Sequence, residues 1–205
     1  MRLAALVIAF AGTAWAQSPD PMPTLPVVDA AHELKGAALV KALQKGGYNL
    51  YMRHATQIPP DEIEDCNKPA LKPQGIEEVE QVSAALRTLK IPVGRVLSSE
   101  SCRNRETARR LGLGEVEVTK KLNAGFDTGG VPPGEARRSL LGAAPKAGTN
   151  TILISHVHGG KVRAEWMHLE LMETIVHAPN GGKPIPVARI RHEAWAALMA
   201  VAPPP

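Results

Sequence analysis

The chain has 205 residues, a formal net charge of +4 and 3% aromatic residues. The positive excess is scattered, with Arg109-Arg110 and Arg137-Arg138 among its few tight pairs, which argues against the clustered charge and stacking rings of a nucleic-acid surface. The length suits one domain with one sizeable core.

Residues 1–16 read as an export signal. Arg2 supplies the charged end, Leu3 to Gly12 an apolar run, and Ala14-Trp15-Ala16 a small-x-small cleavage site. The run is shorter than the roughly 20 apolar residues needed to span a bilayer. The expectation is cleavage after Ala16, no stable membrane insertion afterwards, and a periplasmic or secreted product. Residues 17–28 are Pro-rich and predict a flexible leader, and 201–205 predict a disordered tail. Residues 29–200 then form a single domain.

Within it, Leu34, Ala38, Leu39 and Leu43 predict a helix over 30–47 that stops at Gly46-Gly47. A strand follows at 48–52. Residues 74–90 predict a helix with Ile76, Val79, Val82, Leu86 and Leu89 on one face, its acids in the first turns and its bases at the end, as the helix dipole favours. Strand 94–99 precedes a helix at 102–112 with a glycine stop. A further strand is expected within 114–122 and a short helix around 134–141. "TILIS" (151–155) is a continuous apolar run, the mark of a buried parallel strand. Strands at 173–178 and 185–190 and a terminal helix complete the pattern. Alternating strands and helices predict an α/β domain with a largely parallel sheet. Cys66 and Cys102, an even pair in an exported chain, are either one disulfide or two separate thiols.

Ligands of open α/β sheets bind beyond the carboxyl ends of the strands. Arg53 and His54 follow the first strand, Ser98, Ser99 and Arg103 the second, and His156 the third. Two arginines and two histidines converging there form an electropositive pocket for one phosphoryl group, because the guanidinium fork matches phosphate oxygens.

The residues carry a resemblance. "RHATQ" (53–57) resembles the Arg-His-Gly/Ala signature of the histidine phosphatase superfamily. "LSSESCRNRETA" (97–108) resembles its Leu-Ser-Ser-x-x-x-Arg-x-x-x-Thr-Ala segment, and "ILISHVHG" (152–159) its strand ending in the second histidine. The likeness runs from about Leu39 to Ile190 and is nearest to the short exported bacterial members. It implies a three-layer α/β sandwich of the phosphoglycerate-mutase-like fold. It also implies His54 as nucleophile, with Arg53, Arg103 and His156 holding the phosphoryl oxygens and His156 protonated or donating a hydrogen bond. No cofactor and no metal are implied.

By the same resemblance a carboxyl group must protonate the leaving oxygen. Val157 excludes the branch with Asp after the second histidine, and Glu62, Glu64 and Asp65 fit poorly in spacing. "METIVHAPNGG" (172–182) fits the short members, which points to Glu173, with Glu170 in reserve. Glu100, close to Arg103, either pairs with it and weakens phosphate binding or points to solvent. Thr107 is expected to pack or bond the helix backbone. Arg105, Arg109 and Arg110 read as solvated charges. His158 lacks the carboxylate or cysteine neighbours of a metal site, and His32, His168, His177 and His192 read as surface or structural. The implied activity is an exported phosphomonoesterase acting on a small phosphorylated substrate or a phosphoprotein. A catalytically weak phosphate-ligand binding protein and a phosphomutase of the same fold are the alternatives.

Overall fold

In the computed structural model, which describes residues 28–59, 65–123, 133–156 and 169–201, the apolar run Asn150–Ser155 is an inner strand of a six-stranded sheet. The elements in order are α1 (Gly36–Lys45), β1 (Asn49–Arg53), α2 (Pro73–Thr88), β2 (Val93–Ser98), α3 (Cys102–Leu111), β3 (Val116–Val118), α4 (Pro133–Gly142), β4 (Asn150–Ser155), β5 (Thr174–Ala178), β6 (Ile185–Ile190) and α5 (Ala194–Val201). The expected signal at 1–16, the leader up to residue 27, the tail from residue 202, and Glu62, Glu64, Val157, His158 and His168 lie outside the described residues.

The strand order is β3-β2-β4-β1-β5-β6. β1 pairs in parallel with β4, β4 with β2, and β2 with β3. β5 runs antiparallel to β1, and β6 antiparallel to β5. Leu50, Met52, Ile152 and Ile154 face one core, shared with Leu43 of α1, Val79 of α2, Leu111 of α3 and Trp195 of α5. Tyr51, Leu153 and Ile175 face the other, with Leu141 of α4 and Leu122. The result is a three-layer sandwich around a largely parallel sheet. β1 and β4 are buried on both faces, which is why they read as near-continuous apolar runs.

Two boundaries have local causes. The expected helix over 30–47 begins only at Gly36: residues 30–32 form a turn closed by the His32 N–H on the Asp29 carbonyl, the Leu34 N–H is spent on the Val187 carbonyl of β6 at 2.7 Å, and Lys35 is extended. α3 ends where Gly112 adopts φ +59°, the left-handed cap that favours glycine. Cys66 and Cys102 form a disulfide, tying the segment after His54 to the first residue of α3. Closing a loop of sequence separation 36 stabilises the fold by about 4 kcal/mol on the chain-entropy view. Among the described residues, no helix is long and apolar enough to cross a membrane.

Candidate active site

The first histidine is held by three elements. The His54 N–H donates to the Ser155 carbonyl at 3.1 Å, and the His54 carbonyl accepts from Met172 N–H at 3.4 Å. The ring lies 2.9 Å from the Ala55 carbonyl through Nδ1. A carbonyl only accepts, so Nδ1 carries the proton and the lone pair sits on Nε2. Burial lowers the pKa of His54 to about 4; the Ala55 bond opposes this, and the charges of Arg103 and Arg53 add to it. The ring is therefore neutral above that value and charged below it. If the neutral ring is the nucleophile, kcat/KM falls as pH drops through about 4 and is unaffected by this group above it. A pH–rate profile from 3 to 8 checks the sign.

The turn after His54 is clamped from two helices. Thr56 donates to Glu78 of α2 through its N–H (2.9 Å) and its hydroxyl (2.6 Å). The Ala55 N–H donates to Thr107 Oγ1 of α3 at 3.2 Å, and that hydroxyl donates to the Arg103 carbonyl at 2.7 Å. Thr107 thus bonds its own helix, as expected, and also joins the two signature segments. Glu78 corrects the dipole reading of the α2 acids: it is buried, and no acid sits in the first turn. Arg110 is exposed at the surface but pairs with the buried Glu106, whose other oxygen receives the Ala70 and Leu71 N–H groups.

Gly75 permits this clamp. A Cβ there would lie 2.1 Å from the Thr56 carbonyl oxygen. That neighbour is backbone and cannot swing away. Gly75→Ala should therefore cost about 1–3 kcal/mol of unfolding free energy or more. Urea denaturation measures the stability loss, and it should be accompanied by reduced turnover because the displaced turn carries His54.

The second histidine sits against the first. The His54 and His156 ring centroids are 5.6 Å apart with planes inclined by 67°. The Tyr51 hydroxyl donates to the His156 carbonyl at 2.7 Å, burial raising the Tyr51 pKa. Arg103 Nη2 donates to His156 Nδ1 at 2.9 Å, and His156 Nε2 lies 3.0 Å from Ser99 Oγ. Here Nδ1 accepts from the arginine, which leaves Nε2 as the position from which the neutral ring donates.

Arg53 reaches the Leu169 carbonyl through Nη1 at 2.9 Å. Neither Arg53 nor Arg103 pairs with a carboxylate among the described residues, and the Nε of each is buried without a protein partner. Burial lowers both pKa values, and the Arg53 charge lowers that of Arg103 further. Among the described residues, two cations share a poorly solvated place with no counter-charge, which is the electrostatic condition for an anion site. Glu100 does not disturb it. Its carboxylate accepts from Asn123 at 2.8 Å, and its N–H donates to Asn123 at 3.1 Å.

Glu173 is beside this pocket. The Arg53 N–H donates to its carbonyl at 3.2 Å, and its side chain is 1% exposed. Both carboxylate oxygens are in use: Arg189 donates through Nε at 2.5 Å and Nη2 at 2.8 Å, and the Glu170 N–H donates at 2.7 Å. Glu170 itself is exposed and pairs with Arg191 at 3.0 Å. Arg189 has no motif of its own. It is opposite Ile175 in the β5–β6 register, one pleat from Glu173, and that register cannot be read from sequence. His177 is buried, which lowers its pKa to about 4. Among the described residues, no three His, Cys, Asp or Glu side chains gather as metal ligands.

No protein-family model matches the sequence, and no curated protein matches it. Solved structures do. The protein histidine phosphatase SixA complexed with tungstate superposes with a TM-score of 0.53 at 16% identity, covering 71% of this chain and 97% of the other. A candidate phosphohistidine phosphatase SixA from Nakamurella multipartitia gives 0.52 at 15%, covering 71% and 95%. A candidate alpha-ribazole-5'-P phosphatase from Escherichia coli gives 0.52 at 15%, covering 72% and 98%. At such identities the likeness establishes the fold.

Proposed function

From a chain with the phosphoglycerate-mutase-like fold of the histidine phosphatases, we infer an exported phosphomonoesterase that works through a phosphohistidine on His54. The observation that carries this reading is the pair of half-buried guanidiniums, Arg53 and Arg103, with buried Nε atoms and no carboxylate partner among the described residues, beside a neutral imidazole whose lone pair is on Nε2. In the first step Nε2 attacks phosphorus. The P–N bond forms, the ester P–O bond breaks, and the leaving oxygen takes a proton. In the second, water attacks and gives a proton to the group that protonated the leaving oxygen, the P–N bond breaks and phosphate leaves. Arg53 and Arg103 hold the equatorial oxygens and offset charge in both transition states, and His156 takes a share only where the substrate displaces Arg103 or Ser99 from its ring.

Glu173 is the proposed proton donor, as its place next to Arg53 supports. To take that part it must carry a proton while Arg189 still faces it, so its charge partner has to be offset or loosened when substrate enters. Export is supported by the charged and apolar pattern of residues 1–16 and by the disulfide. The substrate is a small phosphorylated metabolite or a phosphoprotein.

The Glu173–Arg189 pair favours a second reading, a phosphate-ligand binding protein with little turnover. One experiment separates the two. Phosphate release is measured from an aryl phosphate and a metabolite panel between pH 4 and 9, with vanadate binding in parallel and Glu173→Gln alongside. Release that Glu173→Gln slows supports the phosphatase. Tight vanadate binding with no release from any compound supports the binder, and isomerised product would indicate a mutase.

A further inference from the structure

We propose that Ser99 is a positioning residue of the anion pocket: with Arg103 it holds His156 as the tautomer that carries its proton on Nε2. The argument begins with what each partner can do. A guanidinium has donors and no acceptor, so the 2.9 Å contact from Arg103 Nη2 requires a lone pair on His156 Nδ1. The proton of the neutral ring then belongs on Nε2, and the atom facing Nε2 is Ser99 Oγ at 3.0 Å. That hydroxyl accepts from the ring and is 3.4 Å from Ser101 Oγ, toward which its own proton can turn.

Ser99 can do this because its backbone is fixed. Its N–H donates to the Ile154 carbonyl of β4 at 3.1 Å, and the residue is fully buried. The same strand delivers His156 two residues further on. The serine and the imidazole are therefore set by one strand pairing, β2 on β4.

The consequence reaches the anion through two side chains. With the proton on Nε2, Nδ1 accepts from Arg103 and holds one end of the guanidinium, while the buried Nε of Arg103 has no protein partner. With the proton on Nδ1, two donors would face each other at 2.9 Å, and the guanidinium would be pushed from the position an oxyanion needs. Ser99 therefore orients Arg103 without touching the substrate. The phosphatase reading enters only the kinetic arm of the test, because the tautomer is observable without turnover.

The test uses the full chain labelled with 15N-histidine. Long-range 1H–15N correlations distinguish protonated from unprotonated ring nitrogens, with His156 assigned by a His156→Gln variant. Inorganic phosphate affinity and steady-state kinetics are measured on the same samples. The anion-free wild type should show a single His156 tautomer protonated on Nε2. Ser99→Ala removes the anchor that keeps the ring turned toward Arg103, so the freed ring should swing away from the guanidinium, mix its tautomers and weaken phosphate binding about five- to tenfold, the worth of one buried hydrogen bond. Ser99→Thr, which keeps the hydroxyl, should restore both.

A wild-type ring protonated on Nδ1, or on both nitrogens at pH 7.5, overturns the proposal even if Ser99→Ala does not fold. So does a Ser99→Ala protein with an unchanged tautomer and unchanged phosphate affinity. An Nε2 tautomer with normal phosphate binding but no hydrolysis of any ester leaves Ser99 in place and removes the phosphatase.

Discussion

Replacing His54 with alanine is expected to abolish turnover, lowering kcat by on the order of 1,000-fold or more, because among the described residues no other group near the two arginines supplies the attacking lone pair. The neighbouring imidazole is no substitute. His156 Nδ1 accepts from Arg103 and its Nε2 faces Ser99. The variant should still fold. A neutral ring is removed, no charge is stranded, and the Arg53 and Thr56 anchors of the segment are untouched. Radiolabelled phosphate transfer makes the result specific. Wild-type protein quenched in alkali should carry label that acid removes, the behaviour of a phosphorus–nitrogen bond, and His54→Ala should carry none. Normal rates in that variant would end the phosphohistidine mechanism.

Arg103→Lys should lower kcat/KM by roughly 100- to 1,000-fold, the range seen when one charge-stabilising donor is lost. Retaining a positive charge is not enough. Arg103 spends Nη2 on His156 and still has the rest of its fork for an anion, whereas an ammonium is a point donor on a flexible stem. The loss should show in kcat as well as KM, since the contact strengthens as negative charge develops on the transferring group. Glu100→Ala is the matched control. Its carboxylate is turned to Asn123, so the substitution should change kcat/KM by no more than about two- to threefold. A large gain in Glu100→Ala would mean that this acid screens the pocket after all.

Most of this architecture was legible from periodicity and punctuation. The runs that became β1 and β4 are buried on both faces, so their apolar residues are contiguous and easy to read. The 3.6-residue spacing of α2 survived because Val79, Val82, Leu86 and Leu89 all enter one core. The four pocket residues were legible for a different reason. In a largely parallel sheet, the ends of successive strands meet at one edge, so strand order alone brings residues 53, 54, 103 and 156 together.

What escaped was the polar support. Glu78 looks like any acid on a helix until the Thr56 turn is placed against it. Arg189 belongs to Glu173 through an antiparallel register that carries no motif. Ser99 lies within a recognisable segment, yet its hydroxyl acquires a partner only when β2 and β4 are paired. Such contacts depend on three-dimensional neighbours at ångström scale, and a one-dimensional pattern has no term for them.

The reversed direction of β5 has a topological consequence. β4 runs toward the pocket and ends at Ser155, and β5 runs away from it, starting at Thr174. The two ends of the connecting chain therefore stand on the same rim, and no return journey across the sheet is imposed on it. Residues can be inserted or deleted there without changing a single strand pairing, at a closure cost of only about 0.6 kcal/mol for each doubling in length.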